Sequence, residues 1–223
     1  MASENIISKA IVQNYAEKLS ESLKVDVALV GAGPSALVAA RYLTEAGLKV
    51  ALFESRLAPG GGVWGGGMLF NELIVQDDAL DILEHFGIAH RPVRGGEGYH
   101  SIDSVEMASG LIFGAVHAGA KIFNAIKVED VVFQNDRIAG LVINKAQVRL
   151  STPTGGILGE HPMWVDSGEV SCVESTAEYY PGFYACGMSA NNIMGGYRMG
   201  PIFGGMLKSG KKVADLILAS RKK

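Results

Sequence analysis

Hydrophobic positions along the chain alternate between helical spacing and continuous short runs. Ile6, Ile7, Ala10, Ile11, Tyr15 and Leu19 fall near helical spacing. They predict an amphipathic helix over residues 1–20, covering a sheet or meeting another subunit. Val25 to Val30 is a mostly apolar run, as in a strand buried on both faces. Leu37 to Ala46 returns to the helical period and stops at Gly47, a natural C-terminal residue. Leu48 to Phe53 reads as a second strand with Glu54 at its end. Further on, Asp77 to Phe86 predicts a helix closed by Gly87. Ser104 to Gly119 predicts another, with Ser101 or Asp103 as its cap. Lys121–Ala125 and Val128–Phe133 are strand-like. The turn Gln134–Arg137 leads back into Ile138–Ile143, so a β-hairpin spans residues 128–143. Near the end, Gly182 to Gly187 reads as a buried strand. Met199-Gly200-Pro201 opens a final helix to about Ala219, with proline in its first turn.

Strands alternating with helices imply an α/β fold. The length of 223 residues fits one domain, 1–223, with a small excursion at about 121–150. A hydrophobic fraction of 48% with 19% charged residues describes a soluble globular chain. The net charge of −3 gives no support for a nucleic-acid or membrane partner, and no apolar run reaches the ~18 residues of a membrane span. The N-terminus lacks a basic region and a long apolar core. With only two cysteines, Cys172 and Cys186, and no metal-like spacing, a reducing cytoplasm is the expected location.

The first strand runs directly into Gly31-x-Gly33-x-x-Ala36. The first glycine permits the tight turn, the second lets backbone approach a pyrophosphate, and the third small residue allows close helix–strand packing. The following helix aims its N-terminal N–H groups and positive dipole end at the phosphates. Glu54 stands where a carboxylate accepts from a ribose hydroxyl, which favours NAD or FAD over NADP. Glycine makes up 29 of the 223 residues, well above the usual ~7%. The excess gathers around 60–67, 95–98 and 195–205. The second strand–glycine–helix element at the C-terminal end gives a Rossmann-like layout resembling the two-dinucleotide-binding-domain flavoproteins. In those the comparable strand is followed by Gly-Asp. Here it is Gly187-Met188, so the carboxylate that meets a flavin is missing and FAD is disfavoured.

Five stretches together resemble the thiamine thiazole synthase family, of the archaeal and anaerobic-bacterial type. They are Val30–Ser35, Phe53–Ser55, Pro59–Met68, Thr152–Gly156, and Gly187-Met188 through the Gly195–Gly205 segment. The resemblance implies that NAD is a substrate. Nicotinamide leaves, the ADP-ribose sugar opens and rearranges to a ketone, and glycine condenses with it. Sulfur is then added, and the ring closes to an ADP-thiazole carboxylate. Fe(II) is the implied metal and a homo-octamer the implied assembly. Carried over by motif, Ser35, Glu54, Ser55 and Gly62 hold the adenosine and pyrophosphate with Gly31 and Gly33. Val128 lines the adenine site and Met188 contacts the nucleotide. Arg198 binds the glycine carboxylate, a task suited to a planar guanidinium.

The chain departs from the family after Asn144. The resemblance implies a further segment of roughly 35–40 residues there, far longer than an ordinary connection. It would carry a His-x-Asp or Cys-x-Asp loop and a later Gly-His-Asp, the source of the metal ligands and, where Cys is present, of the sulfur. Here Asn144 runs straight into Lys145. The expectation is that the segment has been left out of the chain, which a Cα–Cα distance well beyond about 3.8 Å at this junction would mark. The metal ligands therefore stay unassigned, and sulfide is the expected donor. His85, His90, His100 and His117 are scattered, His161 reads as a loop residue, and Asp166 and Glu169 read as a solvated turn. Three other readings remain open: an FAD-dependent oxidoreductase, a ribose 1,5-bisphosphate isomerase, and a non-catalytic NAD-binding protein if the segment is truly deleted.

Overall fold

The computed structural model describes residues 3–144, 159 and 161–222. The Asn144–Lys145 junction and the Thr152–Gly156 motif lie outside them. The chain opens with helix α1, Glu4–Glu21, close to the expected span. None of its residues is buried, and Ile6, Ile7, Ile11 and Val12 are 69, 48, 64 and 66% exposed. The N-terminal half of the apolar stripe thus covers no sheet, while Tyr15 and Leu19 pack toward β-strand residues Phe53 and Phe123. Only the C-terminal half touches the body, where the Tyr15 ring meets Phe123 edge to face and Lys18 Nζ lies 4.6 Å from the same ring.

Strand β1, Val27–Val30, helix α2, Pro34–Glu45, and strand β2, Val50–Glu54, form a parallel strand–helix–strand unit. β1 was expected to be buried on both faces. It instead alternates half-buried with exposed residues, because it is the edge of a three-stranded sheet. β2 takes the centre and all five of its residues are buried. Helix α2 begins three residues before the expected Leu37, since Gly33 caps it and Pro34 occupies its first position, where a missing N–H costs nothing.

An antiparallel three-stranded sheet follows that the hydrophobic pattern did not reveal: β3, Glu72–Gln76, β4, Arg91–Pro92, and β5, Tyr99–Asp103. Between β3 and β4 lies α3, Leu80–Phe86, ended by Gly87 in the left-handed conformation. Helix α4, Ser104–His117, is capped by Asp103, whose carboxylate accepts from the N–H groups of Val105 and Glu106 at 2.9 and 2.8 Å. β6, Lys121–Asn124, completes the parallel sheet beside β2. The expected hairpin is present as β7, Lys127–Gln134, and β8, Arg137–Asn144. Its two central residues, Asn135 and Asp136, both have positive φ, as a two-residue hairpin turn requires.

The C-terminal part contains β9, His161–Met163, α5, Val165–Glu174, β10, Ala177–Tyr180, β11, Phe183–Ala185, α6, Gly187–Met194, β12, Tyr197–Arg198, and α7, Gly204–Ser220. The strand expected at Gly182–Gly187 is β11, and it pairs with β10 in a hairpin. The final helix starts at Gly204, not at Met199–Pro201. Ile74 explains the delay: it bridges to Ile202, donates to Pro201 O and accepts from Phe203 N. These contacts tie residues 201–203 to β3. The main core lies among α2, α4, α7 and the buried faces of β2, β3 and β5, with Leu37, Leu43, Leu52, Leu73, Leu111 and Leu207 fully enclosed. No described helix is long and apolar enough to cross a membrane.

Candidate nucleotide site

The site is built where β1 ends. Gly31 donates to Phe53 O at 2.8 Å, and its φ of +88° is one that a side chain would strain. Ala32 N–H donates to Glu54 Oε2 at 2.8 Å, while Glu54 Oε1 accepts from Arg56 N–H at 2.8 Å and from the Ser55 hydroxyl at 3.3 Å. Buried Glu54 therefore ties the glycine turn to the end of β2. Oε1 already accepts two bonds, whereas Oε2 accepts one and keeps a second lone-pair direction open. A Cβ added at Gly31, Gly33 or Gly62 would meet nothing within 4 Å. These three glycines thus border open space at the N-terminus of α2, whose first N–H groups have no partner within the helix.

The second glycine cluster folds back over this turn. Gly60 N–H donates to Ala32 O at 2.7 Å, and a Cβ on Gly61 would lie 3.3 Å from Gly33 Cα. Its far end reaches the third cluster, where a Cβ on Gly67 would lie 2.7 Å from Pro201 Cβ. The second glycine-rich stretch thus touches both of the others, which are distant in sequence. Just beyond it Met68, Leu69 and Asn71 all hold positive φ, and Met68, Leu69 and Phe70 are strongly exposed.

The other expected site residues fall as follows. Ser35 is 4% exposed and its hydroxyl donates to Met206 O at 2.8 Å, so the side chain holds α7. Val128 is buried in a second small core with Phe53, Phe123 and Ile126, and Ile126 N–H donates to Glu54 O at 3.0 Å. Met188, second residue of α6, is half-buried. Arg198 is exposed on β12, and its carbonyl accepts from Trp164 N–H at 3.2 Å.

Two polar residues carry more than the sequence suggested. Glu169, expected in a solvated turn, is 3% exposed on α5. Its Oε2 accepts from Gly205 N–H and so caps α7, while Oε1 is buried without a hydrogen-bond partner. Burial pushes its carboxyl above the ordinary range. Asn191 is fully buried between α5, α6 and β12. A polar residue inside an otherwise apolar helical face was the available signal for both. Burial, with Glu169 nearby, pushes the Cys172 thiol up to about 12, and burial pushes Cys186 up to about 11.

The scattered histidines are not all isolated. His90 and His100 share an Nδ1–Nδ1 hydrogen bond of 3.1 Å, and His100 Nε2 bonds Asp77 at 2.8 Å. His90 lines a cavity of about 310 Å³ together with Glu72, Asp103 and Glu106. His161 sits exposed in β9, its ring 5.3 Å from that of Tyr197. Among the described residues no group of three or more His, Cys, Asp or Glu side chains could hold a metal ion. The described residues therefore do not fit the implied iron.

Comparison with known proteins adds to this geometry. The model of the Thi4 family matches residues 8–155 and 147–203. A thiamine thiazole synthase of Methanothermobacter thermautotrophicus is 44% identical over 253 aligned residues, covering 97% of each chain. That of Thermococcus kodakarensis is 46% identical over 243, covering 95% of this chain and 96% of its own. The crystal structure of Thermovibrio ammonificans THI4 superposes with a TM-score of 0.91 at 40% identity, covering 100% of this chain and 99% of that one. The first alignment is longer than the chain itself, 253 positions against 223. At least 30 of its positions therefore face no residue here. The two blocks of the family match meet at residues 147–155.

Proposed function

The chain belongs to the Thi4 family, and from that premise we propose that it is a thiamine thiazole synthase for which NAD is a substrate to be cut. The observation that carries this reading is the linkage of three glycine-rich stretches, with Gly61 against Gly33 and Gly67 against Pro201. It supports a dinucleotide turn linked, through residues 61–67, to the segment bearing Arg198. A reaction that joins a second substrate to the nucleotide's sugar needs the two connected.

In this reading Gly31, Gly33 and Gly62 give the pyrophosphate room to approach backbone N–H groups at the start of α2. Glu54 accepts from the adenosine ribose. Ser35, Ser55, Val128 and Met188 shape the nucleotide's surroundings. Arg198 grips the glycine carboxylate through two parallel N–H···O bonds. The framework is of the Rossmann-like, two-dinucleotide-binding-domain kind, and subunits associate through surfaces such as the bare N-terminal half of the apolar stripe of α1. Free sulfide supplies the sulfur. Cys172 and Cys186 are the chain's two cysteines, and burial holds both as thiols, Cys172 to about 12 and Cys186 to about 11. A thiolate is the form that would give up its sulfur. The alignment gap, assigned to the stretch after Asn144, accounts for the missing metal ligands.

Anaerobic incubation with NAD, glycine, sulfide and Fe(II), followed by mass analysis, tests the reading. An adenylated thiazole carboxylate is expected. Intact NAD, or a bound flavin in the protein's absorption spectrum, would overturn it.

A further inference from the structure

Arg198 Cα stands between two peptide units, and both are held from outside β12. Asn191 Nδ2 donates to Tyr197 O at 2.9 Å, and Trp164 N–H donates to Arg198 O at 3.2 Å. The Asn191 amide is itself oriented, because the Ser171 hydroxyl donates to its Oδ1 at 2.8 Å. Asn191 is fully buried, so this chain of bonds runs in a region where an unmet polar group is costly. Its main-chain carbonyl also accepts from Gly196 N–H at 2.9 Å, which staples the turn before Arg198 onto α6.

Close packing closes the third side. A Cβ on Gly168 would lie 2.7 Å from Tyr197 O, 2.9 Å from Arg198 C and 2.9 Å from Met199 N. A Cβ on Gly196 would fall within van der Waals overlap of Asn191 Oδ1. Helix α5 can thus lie against β12 only because position 168 is glycine. The backbone that launches Arg198 is fixed by α5, α6 and the residue after β9, and the residue itself is exposed.

We propose that Asn191, oriented by Ser171, is a positioning residue that presets Arg198 for the carboxylate of the amino-acid substrate. This rests on the reading of Arg198 as the glycine anchor. A two-point guanidinium–carboxylate contact loses its advantage when the arginine backbone can rock. The Asn191 network should therefore govern affinity for glycine and leave NAD, held by the glycine turn after β1, untouched.

The test is equilibrium dialysis of labelled glycine against NAD-loaded protein without sulfide, with NAD affinity measured in parallel. Arg198→Ala should abolish glycine retention. Asn191→Ala should weaken it about tenfold, the effect of one net hydrogen bond, with NAD affinity within about twofold. Asn191→Asp keeps the acceptor for Ser171 and loses the donor to Tyr197 O, so it should weaken glycine as Asn191→Ala does. Ser171→Ala, the mildest change, guards against misfolding of the Asn191 variants and should cost about threefold through the freed amide. Retention unchanged in Arg198→Ala, or absent in the unmodified protein, would overturn the anchor and the positioning role together. Loss in Arg198→Ala with unchanged retention in Asn191→Asp and Ser171→Ala would overturn the positioning role alone. Equal losses of glycine and NAD would overturn it too, by showing a general structural effect.

Discussion

Glu54→Gln is a small change with a large expected effect. The native carboxylate uses both oxygens: Oε2 takes the N–H of Ala32, and Oε1 takes the N–H of Arg56 with the Ser55 hydroxyl. An amide has one acceptor oxygen and one NH₂. Whichever way it is turned, its NH₂ confronts a backbone N–H. At the Ala32 end that N–H belongs to a residue with no exposed surface, so its lost partner is not replaced by water. Hydrogen bonds to a charged acceptor contribute about 1.5–3 kcal/mol, and a stranded buried donor costs about 1–3 kcal/mol. One such loss predicts destabilisation of about 2 kcal/mol, read as a lowered urea midpoint at unchanged slope. Because the same bond shapes the glycine turn, NAD affinity measured by calorimetry should fall at least about tenfold, the equivalent of ~1.4 kcal/mol. A midpoint and an NAD affinity both indistinguishable from the parent protein would refute this account of Glu54.

Other outcomes follow from the same geometry. Gly67→Ala inserts a methyl 2.7 Å from Pro201 Cβ; it should cost about 1–3 kcal/mol and weaken glycine more than NAD, by parallel dialysis and calorimetry. Asp103→Ala removes the cap of α4 and should cost about 1 kcal/mol in denaturant melts without touching NAD binding. The thiols at Cys172 and Cys186, pushed up to about 12 and about 11, keep their protons in the folded state. They add stability that is present below the ordinary thiol value of ~8.5 and lost as pH rises toward those folded values. The urea midpoint should fall from pH 8 to pH 10.5, and less steeply in Cys172→Ala. Iodoacetamide should label neither cysteine in native protein at pH 8.

The parts legible in the sequence were those with a local cause. Gly31, Gly33 and Glu54 act within one strand–helix–strand unit, so spacing alone located them. The hairpin at Asn135-Asp136 and the stop at Gly87 also follow from short-range conformational demands. The last helix starts later than its local pattern suggests because Pro201 suits a first helical turn, while Ile74, far away in sequence, ties residues 201–203 to β3. Glu169 reads as a solvated residue, and Asn191 stays unremarked, for a related reason. Their roles depend on partners at Gly205 and Tyr197 that only the packing of α5 and α6 brings near. The apolar stripe of α1 was legible as a helix, but periodicity could not say that this chain leaves its N-terminal half bare.

The central claim is that NAD is consumed. It is tested most directly by incubating the protein with NAD and glycine and following nicotinamide, NAD and NADH together by mass and absorbance. The account predicts that free nicotinamide appears, matched by loss of NAD, with no NADH and with dependence on Glu54. NAD that is bound yet recovered intact, or NADH formed in place of nicotinamide, would contradict it.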